Sequence, residues 1–215
     1  MPAADNAIEA GFTRPPPGAL IVLLPPPRTE TFEKGEAMMG KQVDAQLKAL
    51  GYRVMTLERA DYEQHWSRET AAVGGIFDSA SGAIRPQAYA TALSALARHV
   101  CAEQQCELLI RQRLVVRSAQ LGGSRASWDG TYQRIPVSSS NGMGYSFRGS
   151  ATALSVELTA VTGQGGFAFR HFGGAALPYE ANIRDRKHEF RLDLFEADTE
   201  VAEGVRIALE PLAQR

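Results

Sequence analysis

Four arginines in the middle of the chain have the chemistry and spacing of a binding surface. Arg111, Arg113 and Arg117 occupy odd-numbered positions in the run ELLIRQRLVVRSAQL, and Arg125 follows in the next run. On an extended strand, residues of one parity project from one face. Guanidinium groups bind carboxylates and phosphates through paired hydrogen bonds. The pattern therefore predicts one cationic sheet face, shared by the four arginines, that binds an acidic partner or ligand.

A second interpretation of the same arginines is structural. Asp129 and Glu157 lie in neighbouring predicted strands and could pair with the arginines across the sheet, leaving a solvated, internally neutralised face. Trp128 also has two interpretations. It is either an anchor for a partner or a core residue on a face shared with Ala126 and Tyr132.

The two cysteines lie where a predicted helix meets a predicted strand. Within an unbroken helix, Cys101 and Cys106 would be too far apart for a disulfide, which needs Cα atoms about 4.4–6.8 Å apart. A break at residues 103–105 would let the chain fold back and close the bridge. Two free thiols are the alternative, and a bridge would favour the periplasm or the exterior. His99 precedes this pair, but no fourth ligand at a useful spacing follows, so zinc is not predicted.

Catalytic signatures are missing from the sequence. It contains no G-x-S-x-G elbow, no Gly-Lys-Ser or Gly-Lys-Thr phosphate loop and no H-E-x-x-H pair. No cofactor is predicted. The enzyme hypothesis is a hydrolase whose active site lies under the Ser- and Gly-rich loop 138–150, with Ser139 or His171 as participants. A pocket that joins His171, a carboxylate and a serine would favour it.

Composition limits the classes of protein that are possible. The chain has 215 residues, 44% apolar and 22% charged, with a formal net charge of -1. These values are typical of a globular domain, and no overall field favours nucleic acid. No apolar run approaches the roughly 20 residues of a membrane span, so no transmembrane segment is predicted. No signal peptide is visible. The protein is therefore expected either in the cytoplasm or, if an export signal has been removed upstream of Met1, in the periplasm or tethered to the outer membrane.

The first half of the chain predicts a parallel βαβ unit. Residues 19–24 form a continuous apolar strand, which three prolines end. A helix follows from Phe32, capped by Thr29 or Thr31 and ended at Gly51, and residues 52–57 form a second strand. Asp61 caps a short helix, and Pro86 opens an amphipathic helix that leads to Glu107.

The second half predicts an antiparallel meander. Leu108, Ile110, Leu114 and Val116 share one face of its first strand, and the even positions 154–160 share one face of a later strand. Asp198 caps a last helix. The predicted fold class is thus α+β or α/β, with a single mixed sheet, a parallel βαβ unit followed by the meander, and about four helices on its apolar face. Residues 1–18 are predicted as a flexible Pro-rich tail and residues 19–215 as one domain.

Several short motifs resemble a known domain. A strand ending in proline, a helix ending Leu50-Gly51-Tyr52, a strand ending Leu57-Glu58-Arg59 and a helix leading into Cys106-Glu107-Leu108-Leu109-Ile110 resemble the periplasmic α/β domain that opens the Tol–Pal propeller protein. That domain recurs in curli-export and penicillin-binding-protein-activator lipoproteins. Residues 126–130 and 173–175 also look like uncharacterised proteobacterial envelope proteins.

The resemblance implies a function. It implies a non-enzymatic adaptor that binds another envelope protein, often through a tether at a lipidated N-terminal cysteine, which this sequence lacks. Adaptor and hydrolase are therefore the two expectations, and the oligomeric state stays open.

Overall fold

The computed structural model describes residues 5–27, 31–137, 146–182, 187–197 and 199–213. Within these ranges the chain forms an eight-stranded mixed sheet, a two-stranded sheet and four helices. The predicted α+β fold class is confirmed. Thr29, Asp198 and loop residues 138–145, including Ser139, lie outside the described residues. Thr31 does not cap the first helix, because the N-cap is Phe32, with no side-chain hydrogen bond.

The predicted parallel unit is present. Strand β2 (Leu20–Leu23) leads through helix α1 (Glu33–Ala49) to β3 (Arg53–Thr56), which pairs with β2 in parallel. Helices α2 (Arg59–Ala72) and α3 (Pro86–Gln104) then return the chain to β4 (Leu108–Gly123), on the other side of β2 and also parallel to it.

The antiparallel part is built on two long strands. β4 pairs along its whole length with β7 (Phe147–Thr162), and β7 pairs with β8 (Phe167–Ala176). The strand order is β1-β8-β7-β4-β2-β3, where β1 is Ala7–Ile8. The remaining elements are the hairpin β5 (Arg125–Trp128) and β6 (Thr131–Arg134), the hairpin β9 (Tyr179–Asn182) and β10 (Lys187–Phe190), and helix α4 (Thr199–Ala208).

Helices cover both faces of the sheet, so the prediction of one face for helices was wrong. α1 and α4 pack on the face of Ile110 and Leu158, whereas α2 and α3 pack on the opposite face over Leu109 and Val161. Residues 108–110 are all buried because this end of β4 lies between two helical layers. Farther along β4 the layers end, and Val116, predicted to be in the core, is 64% exposed.

Tyr132 also departs from its predicted position in the core, with an exposure of 63%. Asp129 and Gly130 form a two-residue hairpin turn with φ values of 38° and 80°. Trp128 therefore pairs with Thr131, and Tyr132 with Ser127 on the other face. Trp128 is buried and donates a hydrogen bond to the Leu154 carbonyl, so it is a core residue.

Part of the amino-terminal segment, which was predicted as a flexible tail over residues 1–18, is attached to the sheet. Ala7 and Ile8 pair with β8, and the Phe12 ring packs on Phe169. The Asn6 side chain accepts a hydrogen bond from the backbone N–H of Phe172. Without this segment, β8 would be the edge strand of the sheet, with free backbone N–H and C=O groups. Residues 7–9 form hydrogen bonds with part of that edge.

The helix break predicted near residues 103–105 is present. Gln105 ends α3 in the left-handed region, with φ 57° and ψ 47°. This conformation brings the Cα atoms of Cys101 and Cys106 to 4.5 Å, and the two residues form a disulfide. The bridged alternative is therefore the correct one.

Candidate functional site

The register of three strands places charged residues in transverse rows on the face that carries α3. Arg111 pairs with Thr159, which pairs with Arg170. The next row contains Arg113, Glu157 and Phe172. Directly opposite residues of a sheet share a face, so both rows project to the same side.

A groove of about 430 Å³ lies over these rows, beside the start of α3. We call it the arginine groove. Tyr89 and Pro86 of α3 line one side of it, with Ile84 before them, and Phe167 lines it from β8. Arg111, Arg113, Arg170 and Glu157 line it from the sheet. The arginine groove is therefore partly apolar and partly cationic.

The same sheet face is covered again beyond the groove, by the β5–β6 hairpin. Trp128 packs with Ala119 and Ala153, which project from this face of β4 and β7. The hairpin turn brings the Asp129 carboxylate to Arg117 and to the Ser155 hydroxyl, which donates to it at 2.7 Å. The uncovered part of the face thus lies between α3 and this hairpin.

Two of the four predicted arginines are held in ion pairs, as the structural interpretation supposed. Arg113 binds Glu157, whose side chain is 4% exposed. Arg117 binds Asp129, and it also binds Asp5 of the amino-terminal segment at 2.8 and 3.1 Å. The hydrogen bond from Arg117 holds the pKa of Asp5 below its ordinary value, and the two carboxylates raise the pKa of Arg117.

Arg111 and Arg170 are not neutralised in this way. The Arg111 guanidinium lies over the Tyr89 ring, 5.1 Å from its centroid. Arg170 has a long contact of 3.4 Å with the Asp5 carbonyl, and its buried Nε has no hydrogen-bond partner. Neither arginine forms an ion pair with any described residue. The arginine groove therefore has more positive than negative charge.

Arg125 does not share the face of the other three arginines, contrary to the prediction. It pairs with Gly122, an even-numbered position of β4. Arg125 therefore lies on the face opposite to that of the odd-numbered positions 111, 113 and 117. Its guanidinium stacks over Tyr132 at 4.8 Å. The connection between β4 and β5 pairs Gly122 directly with Arg125, so the odd-numbered Arg125 lies on the face of the even-numbered β4 positions, and alternation along the sequence alone placed it on the wrong side.

His171, the residue proposed for the hydrolase, lies on the opposite face of the sheet from the arginine groove. Its Nδ1 is 3.0 Å from the Ile207 carbonyl, and its Nε2 is 3.0 Å from Nδ2 of Asn6. These partners fit a neutral ring that donates from Nδ1 and accepts at Nε2. Burial lowers the pKa of His171, which agrees with a neutral ring.

Among the described residues, the cavity beside His171 does not bring this histidine together with a serine. It measures about 380 Å³ and is lined by Arg14, Glu210, Pro211 and apolar residues of the amino-terminal segment. No described serine lines it, and both ring nitrogens of His171 already have partners. The geometry around His171 therefore supports a structural role.

The described ranges contain neither a cluster of metal ligands nor a helix that could cross a membrane. No three His, Cys, Asp or Glu side chains there come together in a way that could hold a metal ion. No described helix has both the length and the apolar character needed to cross a membrane.

No protein-family model matches the chain, and no curated protein matches it significantly.

Sequence reasoning missed two members of the arginine groove. Tyr89 follows the apolar spacing of α3, which is typical of a core residue, and Arg170 in the run FAFRHF is not among the predicted site residues. Arg170 and Phe172 are alternate positions of one strand, so the sequence alone indicated that these two side chains share a face of β8. Only the register with β7 shows that Arg170 lies in the same row as Arg111.

Proposed function

We propose that the protein is a non-enzymatic adaptor of the bacterial cell envelope that binds an acidic protein partner at the arginine groove. The observation that supports this most directly is the excess of guanidinium groups there. Arg111 and Arg170 lack an ion pair within the described ranges, whereas Arg113 and Arg117 have theirs. An acidic side chain from a partner would supply the missing anion through charge-assisted hydrogen bonds.

Two further features support an envelope location. The Cys101–Cys106 disulfide is typical of proteins that fold in an oxidising compartment. The parallel unit β2–α1–β3, followed by helices that lead into β4, also has the order of elements on which the resemblance to periplasmic adaptor domains rests.

The chain offers a matched pair of variants for testing the proposal. Arg111 and Arg125 both stack on a tyrosine ring and form no ion pair with described residues, but they lie on opposite faces of the sheet. Envelope proteins of the native cell are passed over three immobilised forms of the protein, namely the native chain, Arg111→Glu and Arg125→Glu. Retained proteins are then identified by mass spectrometry.

The expected result is a defined acidic protein retained by the native chain and by Arg125→Glu but lost with Arg111→Glu. Its retention should weaken as salt is raised, because the contacts are electrostatic and partly exposed. If both variants lost the acidic protein equally, or if neither variant changed its retention, the proposed binding face would be contradicted.

A further inference from the structure

We infer that the ligand of the arginine groove is an extended peptide segment in which a carboxylate side chain lies next to an apolar side chain. The inference rests on the proposed function and specifies its partner. In this arrangement the row Arg111–Thr159–Arg170 binds the carboxylate, and an apolar rim at Phe77 and Ile84 binds the neighbouring side chain.

The row sets two arginines, neither of which has an ion pair with a described residue, on either side of Thr159. Its outer members lie two strands apart, which separates their Cα atoms by about 10 Å. Arginine side chains are long enough for two guanidinium groups to approach one anion above the Thr159 hydroxyl between them. Two like charges at this spacing repel each other, and a bound anion would relieve the repulsion.

The adjoining row determines the net charge of the arginine groove. Glu157 is buried, with a side-chain exposure of 4%, and lies diagonally beside Arg111 and Arg170. Arg113 neutralises it, so the groove retains about two net positive charges. The two oxygens of a carboxylate can each accept hydrogen bonds from one of the remaining guanidinium groups, and the phosphoserine pool described below tests whether a dianion binds better.

The apolar rim is held in place by the turn that precedes α3. Asp78 Oδ1 accepts hydrogen bonds from the backbone N–H groups of Ala80 and Ser81, at 3.1 and 2.8 Å. Arg85 donates to the carbonyls of Gly74 and Gly75, at 3.0 and 2.9 Å, which ties both ends of the turn together. The turn is therefore ordered before any partner arrives.

This ordered turn exposes two large apolar side chains beside the groove. Phe77 and Ile84 are opposite each other in a β-bridge and are 58% and 55% exposed. Ile84 lines the groove, and Phe77 projects to the same side because opposite residues share a face. Phe167, 41% exposed, lines the groove from the sheet. A preorganised apolar rim costs little entropy on binding, and it suits a peptide side chain rather than a free anion.

Pools of short peptides test the inference directly. One pool of acetylated, amidated pentapeptides has a central Asp or Glu between Phe, Leu, Ile, Val or Tyr. A second pool has Asn or Gln at the centre, a third keeps the acid but has Ala on both sides, and a fourth has phosphoserine between the apolar residues. Each pool is passed over the immobilised full-length protein, and retained peptides are quantified by mass spectrometry.

The acid pool with apolar neighbours should be retained at least about tenfold more than the amide pool, because hydrogen bonds between two charged groups are stronger than those to a neutral amide. Arg111→Gln should remove this preference, and Arg170→Gln gives a second test on the other arginine of the row. Arg125→Gln, on the opposite face, should keep it. Ile84→Ser should reduce retention of the acid pool to that of the alanine-flanked pool, and thermal melts check that each variant is folded.

Three outcomes would overturn the inference. They are equal retention of acid and amide pools, a preference that persists in Arg111→Gln, and stronger retention of the phosphoserine pool than of the acid pool. If any of these outcomes occurs while capture of the envelope partner still depends on Arg111, the inferred peptide chemistry is wrong but the proposed adaptor function stands. If partner capture is also independent of Arg111, both fail.

Discussion

Arg117 and Asp129 form a two-point ion pair, with Nε to Oδ2 at 2.8 Å and Nη2 to Oδ1 at 3.2 Å. Asp129 belongs to the turn of the β5–β6 hairpin, and Arg117 projects from β4. The pair therefore fastens the hairpin to the sheet. Asp5 binds the other side of the guanidinium, so the amino-terminal segment is fastened at the same point. This junction forms one boundary of the uncovered arginine-bearing face.

Asp129→Asn should destabilise the protein by about 2–3 kcal/mol, because it removes one charge of a largely buried pair. Asparagine tolerates the positive φ of 38° at this position, so the turn itself is preserved. Urea unfolding measures the change. Glu203→Gln is the matched control, since its pair with Arg206 is exposed and should contribute less than about 0.5 kcal/mol. Similar effects of both substitutions would contradict a structural role for the junction.

Gly173→Ala should cost about 3 kcal/mol or more, or prevent folding, because β8 and α4 touch through their backbones. A Cβ atom at Gly173 would lie 1.9 Å from the Gly204 carbonyl oxygen. Gly122→Ala is the control, since a Cβ there has no atom within 4 Å. Thermal unfolding compares the two. An unchanged melting temperature for Gly173→Ala would show that α4 does not pack this closely.

The parallel unit could be predicted because its signals are local. Prolines end β2, Gly51 follows α1, and the apolar spacing of α1 is helical. The covering of both sheet faces could not be predicted in the same way. Residues 108–110 are all apolar, and such a run fits a strand buried on one face as well as a strand buried on both. Only the packing of α3 on Leu109 shows that both faces are buried.

The composition of the candidate site was less predictable than the fold. Arg111, Arg113 and Arg117 share a face because alternation along one strand is a local property. The placement of Arg170 beside Arg111 depends on two strand registers, and that of Asp5 beside Arg117 joins residues 112 positions apart. The misplacement of Tyr132 was avoidable, since Asp129-Gly130 is a strong signal for a two-residue hairpin turn. The misplacement of Arg125 has another cause, the direct pairing of Gly122 with Arg125 where β4 leads into β5.

Stability should fall as the pH drops from about 7.5 to about 5.5, in part because of His171. Burial lowers the pKa of His171 in the folded protein, so in this window the unfolded chain binds more protons than the folded one. The stabilisation by the neutral ring is present above the unfolded pKa, near 6.5, and is lost as the pH falls. Melting temperatures across this range measure the effect.

The contribution of His171 is isolated by comparison with a variant. His171→Gln should reduce the pH dependence relative to the native chain, whereas His188→Gln, at an exposed position of β10, should not. An identical pH dependence in the native chain and in His171→Gln would contradict a buried neutral ring.

Replacing both Cys101 and Cys106 with serine should destabilise the protein by about 2 kcal/mol, the chain-entropy value for a disulfide that closes so short a loop. The reduced native chain should unfold at the same urea concentration as the double variant. The double variant itself should be unaffected by reductant, which provides the control. A native chain that is equally stable with and without reductant would contradict a structural role for the bridge.

The same bridge offers a test of the proposed envelope location. In an oxidising compartment the disulfide persists, so denaturing the native cells in the presence of a maleimide should leave both cysteines unlabelled until a reductant is added. The test depends on trapping at the moment of denaturation, because both cysteines are buried in the folded protein. The Cys101→Ser variant, with one remaining thiol, serves as the positive control for labelling. Labelling of both cysteines without reductant would show that the chain resides in a reducing compartment, and the envelope proposal would then be wrong even if the arginine groove binds an acidic peptide.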